Sequence, residues 1–99
     1  MRQPRPFDVL TAVEYVTGMD PNKRGRSRLI ARSRRLAAQA LAEIADMSQY
    51  EIAQWLGLDR STVSHHLHEP CDYDAMRMVL DRVSQRIEEE EANAPNVFR

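Results

Sequence analysis

Residues 48–68 read Ser48-Gln49-Tyr50-Glu51-Ile52-Ala53-Gln54-Trp55-Leu56-Gly57-Leu58-Asp59-Arg60-Ser61-Thr62-Val63-Ser64-His65-His66-Leu67-His68. Ser48 followed three residues on by Glu51 is a capping-box pattern, which starts a helix. Ile52, Ala53 and Leu56 give that helix one inner face, and the small Ala53 lets a second helix cross closely. Gly57 can take the left-handed conformation that ends a helix. Leu58 fills the corner, and Asp59 is a favourable N-cap for the next helix. Val63 and Leu67, four apart, bury the inner side of that second helix. Its remaining positions, Arg60, Ser61, Ser64, His65 and His68, are polar and of short to medium reach. That is what a helix lying in a DNA major groove presents. The stretch is therefore expected to be a helix-turn-helix. An ordinary αα-hairpin without a ligand is the competing reading.

Working outward toward the N-terminus, Lys23, Arg24, Arg26, Arg28, Arg32, Arg34 and Arg35 form a run of seven basic residues without one acid. The formal net charge of the whole chain is only −1, but a protein meets phosphate through its local field. Arginine suits this work, since its planar fork matches phosphates and guanine edges. Lys23, Arg24, Arg28, Arg32 and Arg34 are the expected phosphate contacts, with Arg35 beside them. A solvated helix face is the plain alternative, and the lack of interspersed acids argues against it. Ser48 and Gln49, at the start of the first motif helix, are placed to donate to a further phosphate, because helix N-termini favour anions.

The rest of the chain reads as helices. Asp8–Thr17 is a short one, with Leu10, Val13, Val9 and Val16 inward and Gly18 as its stop. Ser27–Ala45 is a long one whose apolar face comprises Leu29, Leu36, Ala40, Leu41 and Ile44. After Pro70, Asp72 or Asp74 is expected to cap a last helix to Glu91, carrying Met76, Val79, Leu80, Val83 and Ile87 on one side. Residues 1–6 and 92–99 read as flexible ends around a core of residues 8–91. No segment alternates like a strand. The fold class is all-α: one domain of about five helices, within the usual size for a single 99-residue core. The last helix could also pair with its copy or with another protein. Oligomeric state stays open.

The order of parts now on the page, a short helix, a basic loop, a long helix opening Ala31-Arg32-Ser33-Arg34 and then the two motif helices, resembles the C-terminal DNA-binding domain of the bacterial replication initiator DnaA. Gly57-Leu58-Asp59-Arg60-Ser61-Thr62-Val63 is similar to that family's signature Gly-Arg-Asp-His-Thr-Thr-Val. The resemblance covers residues 8–68. It implies major-groove base contacts by Asp59, Arg60 and Ser61, a phosphate or edge contact by Thr62, and an arginine of the basic loop, Arg26, in the adjacent minor groove. Ser64 and His65 extend the base-reading face. The family's His is Arg60 here, which can be bidentate to guanine, so a shifted base preference is expected. No Gly-x-x-x-x-Gly-Lys-Ser/Thr loop occurs. The chain thus resembles the DNA-binding module used alone or within a larger protein.

Other residue groups carry weaker signals. His65, His66, His68 and Cys71 are near one another, but no second ligand cluster accompanies them, so no metal and no cofactor are expected. Trp55 and Tyr50 are expected to be partly buried against the last helix. No nucleophile–base pair is spaced for catalysis, and Glu88–Glu91 point around a helix rather than into one site; an enzyme is not expected. That acidic run could bind a basic surface, such as one on RNA polymerase, or shield the basic loop when DNA is absent. A frayed, solvated helix end is the plainer reading. The single Cys71 and the absence of a signal peptide or long apolar run suit a reduced cytoplasmic protein on the nucleoid, with no membrane partner. Double-stranded DNA is the expected partner and transcription regulation the expected role. Replication control is second. An interaction adaptor that keeps the fold but not DNA affinity is the rival from another class.

Overall fold

The computed structural model describes residues 2–93. They form five helices: α1 (Pro6–Thr17), α2 (Arg28–Ile44), α3 (Gln49–Leu56), α4 (Arg60–His68) and α5 (Tyr73–Ala92). Among the described residues there is no strand. The all-α, five-helix reading is therefore correct, and all five helices fall within two residues of their expected ends.

α2 is the hub, packing against each of the other four helices, while α1 also packs on α5 and α3 on α4. This explains its composition. A helix surrounded by neighbours needs small residues so that several backbones can approach, and Ala37, Ala38 and Ala40 are fully buried beside Leu36 and Leu41. Val9 and Val13 of α1, Ile52 of α3, Val63 of α4, and Val79, Val83 and Ile87 of α5 complete the core around it. Removing a side chain such as Leu41 or Ile52, each 0 % exposed, would cost about 2–5 kcal/mol through lost burial and the cavity left behind.

Three sequence expectations need correction here. Leu29 is 51 % exposed and its neighbour Ile30 takes the buried position at 5 %. On α5 the buried line runs Ala75, Val79, Val83, Ile87, strictly four apart, which leaves Leu80 47 % exposed at its edge. The N-terminal segment, read as loose, is tied down. Arg2 donates to both carboxylate oxygens of Asp8, at 2.8 and 3.1 Å, and to Glu90 at 2.6 Å. Its backbone N–H reaches Glu91 at 2.7 Å. The same Asp8 accepts from the Arg5 backbone at 2.9 Å and from Arg86 of α5 at 3.2 Å. Pro6 and the Asp8 bond to Arg5 begin α1 two residues before the expected start, since proline suits a first helical position. The expected loose segment 92–99 lies, from residue 94, outside the described residues.

Candidate functional site

The α3–α4 unit follows its local signals closely. Ser48 Oγ accepts from the Glu51 backbone at 3.2 Å and Glu51 answers by accepting from the Ser48 N–H at 3.1 Å. Gly57 sits at φ 63°, ψ 38°, a left-handed conformation that favours glycine, and the Leu58 N–H closes the helix end on the Ala53 carbonyl at 3.0 Å. Asp59 occupies the N-cap position of α4, yet its side chain makes no capping bond. Its carboxylate therefore stays available at the front of the helix.

What holds α4 in place is a residue the sequence reading missed. Gln39, buried on α2, donates through Nε2 to the carbonyls of His66 and Glu69 at 3.0 and 3.1 Å. The His66 carbonyl, which also accepts from the Glu69 N–H at 3.3 Å, and the Glu69 carbonyl at the end of α4 are thus bonded from the neighbouring helix. The signal was present: a glutamine inside the apolar run Leu36–Leu41 must find partners if that run is buried.

The outward side of α4 carries the expected reading residues. Arg60, Ser61 and His65 are exposed, and Thr62 and Ser64 are half-buried. His65 is engaged within its own helix turn, 2.8 Å from Glu69. His68 lies 2.7 Å from the Ser64 carbonyl through Nδ1, which places a proton on that nitrogen. His66 faces α2, and burial, then the nearby charges of His65 and Arg35, push its pKa below the usual histidine value.

The basic loop is folded rather than loose. Ser33 donates to the Met19 carbonyl at 2.7 Å, Pro21 is buried, and the Asp20 side chain accepts from the Asn22 backbone at 2.9 Å. Arg34 then reaches back from α2 to the carbonyls of Lys23 at 2.7 Å and Gly25 at 3.4 Å. Gly25, at φ 139°, leaves no room for a side chain, since a Cβ there would lie 2.8 Å from Ile30 Cδ1. Ser27 caps α2 by accepting from the Ile30 N–H at 3.2 Å. The result is a fixed backbone from which Lys23, Arg24, Arg26 and Arg28 project, all exposed. Their side chains make no hydrogen bond or ion pair with any described residue.

Some expected contacts are changed by this geometry. Arg34 braces the loop through one bond from each terminal nitrogen, while its buried Nε has no partner among the described residues. Arg32 is exposed but has an acidic neighbour, Asp72, at 3.7 Å. The backbone N–H of Ser48 is taken by Glu51, which leaves exposed Ser48 only its hydroxyl to offer, beside half-buried Gln49. Trp55 and Tyr50 do not pack on α5. They are 47 % and 57 % exposed, and Trp55 lines a cleft with Asn22 and Arg24 of the basic loop. That cleft brings the loop alongside the α3–α4 turn, two parts separated by about thirty residues of sequence.

The acidic run does not cover the loop. Glu90 and Glu91 are held by Arg2 at the start of α1, and the basic loop follows the end of that helix. A 12-residue helix separates the two by roughly 18 Å. Among the described residues, no three His, Cys, Asp or Glu side chains are grouped to hold a metal ion, and no helix is long and apolar enough to cross a membrane.

No family model, curated protein or solved structure matches this chain. Its function must be argued from its own residues.

Proposed function

We propose that this chain binds double-stranded DNA in a sequence-dependent way, as a transcription regulator or as the DNA-reading part of one. In this reading α3, the turn and α4 act as a helix-turn-helix. α4 enters the major groove, with Asp59, Arg60, Ser61, Ser64 and His65 toward the base edges. The loop of residues 23–28 follows the backbone, with Arg26 in the adjacent minor groove. Arg24, Lys23 and Arg28 meet phosphates, Arg32 and Thr62 flank them, and the nucleoid is the place of action.

The observation that supports this reading best is the state of the basic residues. Four cationic side chains stand on a hydrogen-bonded loop beside the α3–α4 turn, and none has an acidic partner among the described residues. A merely solvated, stabilising face would carry interspersed acids. An unpaired cluster of one sign destabilises its own fold and attracts a polyanion.

The test is selection of bound sequences from a random duplex pool at near-physiological salt, with wild type and Arg60→Ala in parallel. A defined motif is expected, and the variant should lose about 1–3 kcal/mol of discrimination at one base position. Affinity should fall steeply with added salt, because phosphate neutralisation releases counterions. Weak binding without an enriched motif would overturn sequence reading and favour the adaptor.

A further inference from the structure

A cleft of about 340 Å³ lies between the basic loop and the α3–α4 turn. Asn22, Arg24 and Arg34 form one wall. Gln54, Trp55 and the turn residues 56–58 form the other. No carboxylate lines it, although acids make up 15 of the 99 residues.

The donors in this cleft are unequally committed. Arg34 donates one N–H from each terminal nitrogen, to the Lys23 and Gly25 carbonyls, and so braces the wall. Gln54 uses one amide N–H on the Tyr50 hydroxyl at 2.8 Å, which leaves its second N–H free. The Arg24 guanidinium has no partner at all among the described residues. The Asn22 side chain is likewise uncommitted. Trp55 supplies an apolar side to the cleft, and hydrogen bonds from a charged donor such as Arg24 are the stronger kind.

We propose that this cleft is a phosphate seat, with Arg24 as the charged ligand, Asn22 and Gln54 as neutral donors, and Arg34 as the positioning residue. The inference rests on the DNA reading and deepens it. With α4 in the major groove and the loop in the neighbouring minor groove, the strand dividing those grooves passes between loop and motif. The cleft occupies that place. The seat fixes which phosphate is held, and hence the register of both reading elements on the duplex.

Trp55 is the only tryptophan in the chain, so its fluorescence reports the cleft directly. The first experiment titrates the full chain with inorganic phosphate against chloride at matched ionic strength. A saturable change in emission with phosphate is expected, lost in Arg24→Gln and kept in Arg77→Gln, which removes an equal charge from an exposed position of α5 outside the cleft. Equal responses to both anions, or a change that survives Arg24→Gln, would overturn the seat. Circular dichroism of each variant confirms that it is folded.

The second experiment scans a bound duplex with single neutral methylphosphonate linkages. One position should weaken wild type about tenfold and have little effect on Arg24→Gln. Duplex binding without any such coupled position overturns the seat and leaves the DNA reading standing. Phosphate binding without duplex binding overturns the DNA reading and keeps the seat as a site for a free phosphate compound.

Discussion

The two ends of α1 carry opposite solutions to the same problem. At its start, charges are paired. Asp8, only 3 % exposed, is ringed by Arg2, Arg86 and the Arg5 backbone, and Arg86 stacks over Phe7 at 5.3 Å from the ring centre. Just beyond its end, Lys23, Arg24, Arg26 and Arg28 are left unpaired on a fixed backbone. The first arrangement closes the fold by joining the N-terminus to α5. The second contributes nothing to the fold, and its self-repulsion works against it. Charge that is paired and charge that is left unpaired among the described residues are thus separated within one small domain.

The largest effect should come from breaking the paired end. Asp8→Asn removes the charge that two guanidiniums share. We expect a loss of about 2–3 kcal/mol in urea unfolding, toward the lower part of the range for buried pairs because both arginines reach solvent. For a domain of this size that lowers Tm by roughly 10–20 °C. A loss under about 0.5 kcal/mol would mean that the paired end is decorative.

Acid should reach the same point more gently. The hydrogen bonds from Arg2, and secondarily the Arg5 backbone and the positive charge of Arg2, hold the Asp8 carboxyl at about 2, below its ordinary 3.8. A depressed carboxylate stabilises the fold above its unfolded pKa and loses that contribution as pH falls through the folded value. Stability should therefore decline by about 1–2 kcal/mol between pH 5 and pH 2 from this group. Asp8→Asn should lack that component. His66, whose pKa is lowered mainly by burial, adds a separate loss as pH drops below the ordinary histidine value.

The smallest effects distinguish bracing from waiting within the basic end itself. Arg34→Met removes the two bonds to the loop carbonyls and should cost about 1 kcal/mol. It should also speed trypsin cleavage after Lys23 and Arg24, since the loop loses its brace. Arg24→Ala should change stability by less than about 0.5 kcal/mol, and any change should be a gain at low salt. If both substitutions cost the same, the division between structural and waiting arginines fails.

What could be read from the sequence was what is local. Ser48 with Glu51, Gly57 and Asp72 act within a turn of their own helices, and each lies where its residue type predicts. Residue type alone was less informative where two apolar neighbours compete. Leu29 and Ile30 are equally apolar, and Ile30 is the buried one because Gly25 lies against it. Long-range polar bonds were hidden almost entirely. Nothing near Asp8 in sequence announces Arg86, 78 residues away. The exposure of Arg60, Ser61 and His65 on α4 was foreseen from their polarity, but the distinction between Arg34 and Arg24 depends on backbone carbonyls that only a folded loop brings into reach.

The Gln39 bonds to α4 have a consequence for how this molecule can change. They grip main-chain oxygens, which every residue type possesses. The anchor is therefore indifferent to the side chains at positions 60, 61, 64 and 65, and these can be exchanged without loosening the helix that carries them. A lineage, or an engineer, can rewrite the outer side of α4 while the Gln39 anchor stays in place, losing only local contacts such as His65–Glu69. Specificity and stability are free to evolve on separate accounts.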